Sequence, residues 1–166
     1  MSDSHEQPIV LPLLRFTIDE ARALDSFVLC DRAWEAVTSA CADSGFVPED
    51  ADARAEDVFI DLLPSHWSTA FAVHEMESDV LAGGFINFFE NHGDGLVAAA
   101  AKGLADIGAS KHRSILLEAA DHFDDEDEVI GLFSSAFYAA CRSDGDPREM
   151  LASYILANFD LFTVPR

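Results

Sequence analysis

Between residues 118 and 128 the chain carries Glu118, Asp121, Asp124, Asp125, Glu126, Asp127 and Glu128 with no Lys or Arg among them. A second block, residues 43 to 61, holds Asp43, Glu49, Asp50, Asp52, Glu56, Asp57 and Asp61 against the single Arg54. Carboxylates three or four positions apart on a helix have Cβ atoms about 5 to 6 Å apart, and phosphates recur every ~3.4 Å along a nucleic-acid strand. Such a row therefore offers Arg and Lys a comparable density of negative charge, and an Arg fork accepts a carboxylate as readily as a phosphate. The alternative is a solvated face that confers solubility.

Divalent-ion chemistry is the rival use of the same groups. His122 with Asp124 and Asp125, or His74 with Glu77, supplies nitrogen and oxygen donors of the kind a metal-dependent hydrolase uses. The spacing is not that of a His-Glu-x-x-His motif, and the acidic block lacks the alternating ligands and mid-loop Gly of a calcium loop. His66, His92 and His112 have no companion at ligand spacing, and Glu75, Glu77 and Asp79 read as a helix exterior. No Gly-x-Ser-x-Gly elbow surrounds a serine, and Gly83-Gly84 lacks the pattern of a phosphate cradle. Cys30, Cys41 and Cys141 stand in apolar helical contexts, where buried, inert thiols are expected. Lys111, His112 and Arg113 form the only basic cluster and read as a salt-bridging patch. The sequence thus assigns no catalytic residue, no metal ligand set and no cofactor.

Thirty-one Asp and Glu against ten Lys and Arg give the 166 residues a formal charge of −21, while 49% of them are hydrophobic. Disordered acidic tails lack such apolar content, so the charge belongs on a folded surface. That field repels DNA, RNA and anionic membrane and favours basic partners. The polar start and the short run from Ile9 to Leu14, broken by Pro12, match neither a leader nor a membrane span. With the thiols reduced, the expected compartment is the cytoplasm.

The elements that must position these groups are helical, since no stretch shows sustained period-two alternation. Residues 1–14 read as an N-terminal extension and 15–166 as one acidic all-α domain, a bundle of about six to eight helices. Thr17 and Glu20 have capping-box spacing and open a segment with Leu24, Phe27, Trp34, Val37 and Cys41 at helical intervals, ended by Gly45. A helix from His66 toward Asp79, capped by Ser65, buries Trp67 and Phe71. The Gly83-Gly84 pair marks a break, bend or close crossing, because each glycine weakens a helix by about 1 kcal/mol. Phe85, Ile86, Phe88 and Phe89 continue a buried turn or two, and Asn91-His92-Gly93 supplies a stop. Asp94 caps a helix from Leu96 to Ile107 with Gly108 at C′. Further helices begin at Ser110, pass through Ile130 and Phe137, and run from Arg148 to Phe159.

The stretch from Leu81 through Gly83-Gly84-Phe85 to Asn91, followed by Ile107-Gly108-Ala109 and Leu116-Leu117-Glu118-Ala119, resembles a bacterial family first catalogued as a domain of unknown function. Its best-known member is a DNA mimic that occupies the DNA-binding surface of a helix-turn-helix transcription factor. This chain differs from the pattern in carrying Ala82 before the glycine pair and Phe at every aromatic position. The resemblance implies an all-α fold, structural roles for Gly83, Gly84, Phe85, Asn91 and Gly108, and transcription regulation by a non-catalytic protein. It implies a basic DNA-binding protein as partner, with no direct nucleic-acid or membrane contact. Asp121, Asp124, Asp125, Asp127 and Glu128 are the first expected contacts, flanked by Glu118 and Glu126, with Asp50, Asp52, Glu56 and Asp57 second. A homodimer would lengthen the decoy to suit half-sites about 34 Å apart. An acidic adaptor or immunity-type protein masking another basic protein would use the same electrostatics.

Overall fold

In the computed structural model, which describes residues 9–47, 54–123 and 127–163, the Thr17 hydroxyl accepts from the Glu20 amide and the Glu20 carboxylate from the Thr17 amide. This reciprocal cap opens α1 (Ile18–Ala23), but the helix stops six residues on, at Leu24 in extended backbone. The Asp25 side chain then accepts from the Phe27 amide at 2.9 Å and starts α2 (Ser26–Asp43). One continuous helix was expected here. Asp25 is a strong N-cap, and satisfying an orphan amide at a new start outweighs continuing the old helix.

α3 (Ala55–Phe59) and a 3-10 turn (Ile60–Leu62) lead into α4 (Ser65–Asn91). α5 (Asp94–Asp106), α6 (Ser110–Asp121), α7 (Asp127–Ser143), α8 (Pro147–Ala157) and α9 (Phe159–Thr163) follow. The described residues form these nine α-helices and no strand, and none of the helices is long and apolar enough to cross a membrane. The count exceeds the expected six to eight because α1, α3 and α9 are separate short elements. Asp94 sits inside the first turn of α5 rather than capping it, and Gly93 takes the cap position. Gly108 ends α5 as expected. At φ 83° it lets its own amide bond Ala105 O at 3.1 Å and the Ala109 amide bond Leu104 O at 2.8 Å, the paired closure of a left-handed helix end.

The centre of the molecule is α4, against which α2, α5, α7 and α8 all pack. Every residue from Thr69 to Glu77 is buried, so this helix is enclosed all round instead of showing a polar face. α5 crosses it closely at Gly103, where an added Cβ would lie 2.7 Å from Val73 Cγ2.

Gly84 divides α4 into two arms, with φ 77° and ψ −174° inside an otherwise helical run. Twelve residues of straight helix would span about 18 Å. Asn91 Nδ2 nevertheless donates to Asp79 Oδ2 at 3.0 Å, so the second arm folds back alongside the first. The reversal frees backbone groups, and α7 satisfies them. Ser134 Oγ accepts from the Phe85 amide at 3.0 Å, serving as the cap that a glycine cannot provide, and the Tyr138 hydroxyl donates to Val80 O. From within α4, Asn87 Nδ2 donates to Asp79 O at 3.3 Å. Phe85 and Phe88 are fully buried on the far side of the corner, Phe85 edge-on to Phe137 at 5.6 Å.

Candidate functional site

Glu118 and Asp121 lie one turn apart on α6 and Glu128 lies in the first turn of α7, all three exposed. No Lys or Arg among the described residues pairs with them. Asp50, Asp52, Asp124, Asp125 and Glu126 fall outside the described residues, as does the side chain of Asp127. Phe123, just after α6, packs on Phe89 of the second arm at 5.1 Å between ring centroids, and Phe88 packs on His92 at 5.2 Å. The last turn of α6 and the surroundings of His92 thus adjoin the same short arm, with exposed Glu90 between them.

Glu56 is half-buried in the first turn of α3. Asp57 beside it turns inward: its carboxylate oxygens lie 3.0 and 3.1 Å from His92 Nδ1. His92, whose side chain is fully buried, also holds Nε2 3.0 Å from Asp79 Oδ2 and 3.6 Å from Glu75 Oε2. Trp34 Nε1 donates to the other oxygen, Glu75 Oε1. The Arg54 guanidinium covers the imidazole, with Nη1 3.2 Å from Nε2 and 3.7 Å from Glu75 Oε2. An open groove bounded by Arg54, Asp57, Asp61, Glu90 and His92 lies beside the cluster. The fold-back assembles it: Glu75 and Asp79 precede Gly84, and His92 follows it.

A second polar group crosses the core two residues along α4, on another side of the helix. Glu77, 1% exposed, binds Arg148 Nε, and Arg148 Nη2 donates to Ser78 Oγ at 2.8 Å while its guanidinium stacks on Phe27 at 4.9 Å. His74 bonds Asp31 at 2.8 Å and stacks on Trp34 at 5.5 Å, and burial lowers its pKa so that the neutral ring is favoured. The expectation that Glu75 and Glu77 line a helix exterior is therefore corrected. Both are buried, because α2, α5, α7 and α8 enclose α4: Trp34 donates to Glu75, while Arg54 from just before α3 and Arg148 from α8 neutralise the charges. His112 likewise leaves the expected basic patch: it is 1% exposed and edge-on to Phe137, while Lys111 alone reaches outward to Asp144.

Burial pushes the Glu77 carboxyl up from its ordinary 4.5 to about 7, against the pull of Arg148 and with a further push from Asp146. The folded protein thus keeps a proton that the unfolded chain releases above about pH 4.5. Stabilisation from this group is complete below that value and is lost as pH rises to about 7. We expect thermal stability to fall across that window and Glu77→Gln to flatten the fall, as melts across the pH range would measure. An unchanged slope in the variant would trace the effect to the acidic surface instead. The thiols take no part, since burial raises Cys30 to about 12 and Cys141 to about 11.

Sequence spacing could not assemble the His92 cluster, because its members come from α2, the start of α3 and both arms of α4. The only local signal was Glu75 and Asp79 at a four-residue interval. A family model described as DMP19-like protein matches residues 61–158, which carry the fold-back, the glycine pair and α5 to α7 complete. No curated protein matches the chain. Since the matched region covers more than half of the sequence and contains the corner that Gly84, Ser134 and Tyr138 build, the chain belongs to the DMP19-like protein family.

Proposed function

We propose that this protein is a DNA mimic that binds a basic DNA-binding protein and blocks its nucleic-acid surface. The observation that carries the reading is a set of exposed, cation-free carboxylates, Glu118, Asp121 and Glu128, in a DMP19-like chain of charge −21. Asp124, Asp125, Glu126 and Asp127 extend that set in sequence, and Asp50, Asp52 and Glu56 form its second part, from which Asp57 is removed by its inward bond to His92. In this reading the scaffold holds carboxylates where a partner's Arg and Lys expect phosphates. Association is fast and steered at low salt. The partner is a bacterial transcription factor or nucleoid-type protein, the setting is the cytoplasm, and a homodimer extends the decoy across two half-sites.

Capture of partners from host lysate at low salt, followed by elution with duplex DNA, tests the proposal. DNA should release the captured protein, and log K should fall with log salt with a slope no steeper than about −5 for some six cationic contacts. A captured protein that binds duplex and this chain at the same time would instead make the chain an adaptor that masks a different surface.

A further inference from the structure

We propose that Glu75, Asp79 and His92 form a binding site for a divalent transition-metal ion of the zinc type, with Arg54 the competing cation that lies over the imidazole. The three residues offer one imidazole nitrogen and two carboxylate oxygens within 4.8 Å of one another. A tetrahedral zinc site with arms of about 2.0 to 2.1 Å has ligand-to-ligand edges of about 3.3 Å. The distances from Nε2 to Asp79 Oδ2 and Glu75 Oε2, 3.0 and 3.6 Å, bracket that value. An ion centred between them requires only small side-chain shifts.

Groups outside the triad already orient its donors. Asp57, 3.0 Å from Nδ1, fixes the orientation of the ring so that Nε2 faces Asp79 and Glu75. Trp34 holds Glu75 Oε1 and so turns Oε2 toward His92. Arg54 is the cation at the cluster, 3.7 Å from Glu75 Oε2, while the carboxylates of Asp57, Glu75 and Asp79 converge on His92. The Arg54 side chain is 40% exposed beside the groove, so it can swing outward, and a divalent ion offsets the convergent charge more fully. The mixed nitrogen and oxygen set favours zinc over magnesium or calcium, which take oxygen. The site is distinct from the exposed carboxylates assigned to mimicry, and its existence does not depend on that role.

Titration of metal-stripped full-length protein with Zn²⁺ tests the assignment, followed by calorimetry and by tryptophan fluorescence, which Trp34 should report through Glu75. Saturation should occur at one tight ion per chain, and Co²⁺ in its place should give the intense visible absorption of a four-coordinate site. Asp79→Asn and His92→Gln should each weaken binding about a hundredfold, while Glu118→Gln with Glu128→Gln leaves it unchanged. Arg54→Ala should tighten it about tenfold by removing the competing cation, with a melt of the variant confirming that it is folded. Weak, multi-ion binding in the wild type, equal binding by Asp79→Asn, or weaker binding by Arg54→Ala would each overturn the proposal.

Discussion

Replacing Asp121, Asp124, Asp125, Asp127 and Glu128 with their amides should weaken capture of the DNA-binding partner about a hundredfold at low salt and raise the melting temperature of the free protein. The first effect follows from removing five charge-assisted contacts worth roughly 0.5 to 1 kcal/mol each at a partly solvated interface. The second follows from removing like charge from a chain of −21, since crowded carboxylates repel one another in the folded state more than in the expanded one. Each lost contact should also reduce the salt slope by about one, so the variant binds weakly and almost independently of salt. Position can be separated from net charge with Glu149→Gln and Asp160→Asn, two exposed sites on α8 and α9. If these cost as much affinity per charge as the first set, steering by the whole field accounts for binding and no mimic surface is needed. Isothermal titration at several salt concentrations and parallel melts measure all of this.

What was legible from sequence was what neighbouring residues decide. The capping box at Thr17 and Glu20, the closure at Gly108 and the burial of Phe85 and Phe88 each depend on a turn or two of chain. The glycine pair was readable as an interruption, but the direction taken after it was not. That direction is set by Ser134 and Tyr138, some fifty to sixty residues away, which satisfy the groups freed at the corner. Polarity misled at Glu75 and Glu77 because charged side chains on a helix normally face water. Here Trp34 and Arg148 arrive from α2 and α8 to receive them, and no pattern within α4 announces either partner. The acidic blocks were visible as composition. The inward turn of Asp57 toward His92 was not, because it requires the fold-back first.

The fold-back also sets the largest stability effect: Gly84→Ala should destabilise the protein by about 2 to 4 kcal/mol. At φ 77° and ψ −174° the backbone occupies a region that only glycine adopts readily, and a side chain there costs about 1 to 3 kcal/mol. The added Cβ would in addition lie 2.7 Å from Ser134 Oγ, the acceptor for the Phe85 amide. Moving Ser134 away relieves the clash but strips the second arm of its cap, a loss of about 1 kcal/mol. These two contributions share one hydroxyl, so they should not add. Ser134→Ala alone should cost about 1 kcal/mol, and the double variant should be little worse than Gly84→Ala alone, a coupling that denaturant titration of the four proteins would reveal. Gly93→Ala serves as the control, since an added Cβ there meets nothing within 4 Å. A Gly84→Ala protein within about 0.5 kcal/mol of wild type would mean that the corner can relax, and the strain argument would be lost. If instead the predicted loss is found, hydrogen exchange should rise first at Phe85 and along the second arm. Opening there pulls Asn91 from Asp79 and His92 from Asp57, and it removes Phe89 from beneath Phe123. One backbone angle therefore governs both the buried His92 cluster and the packing of Phe123 at the end of α6.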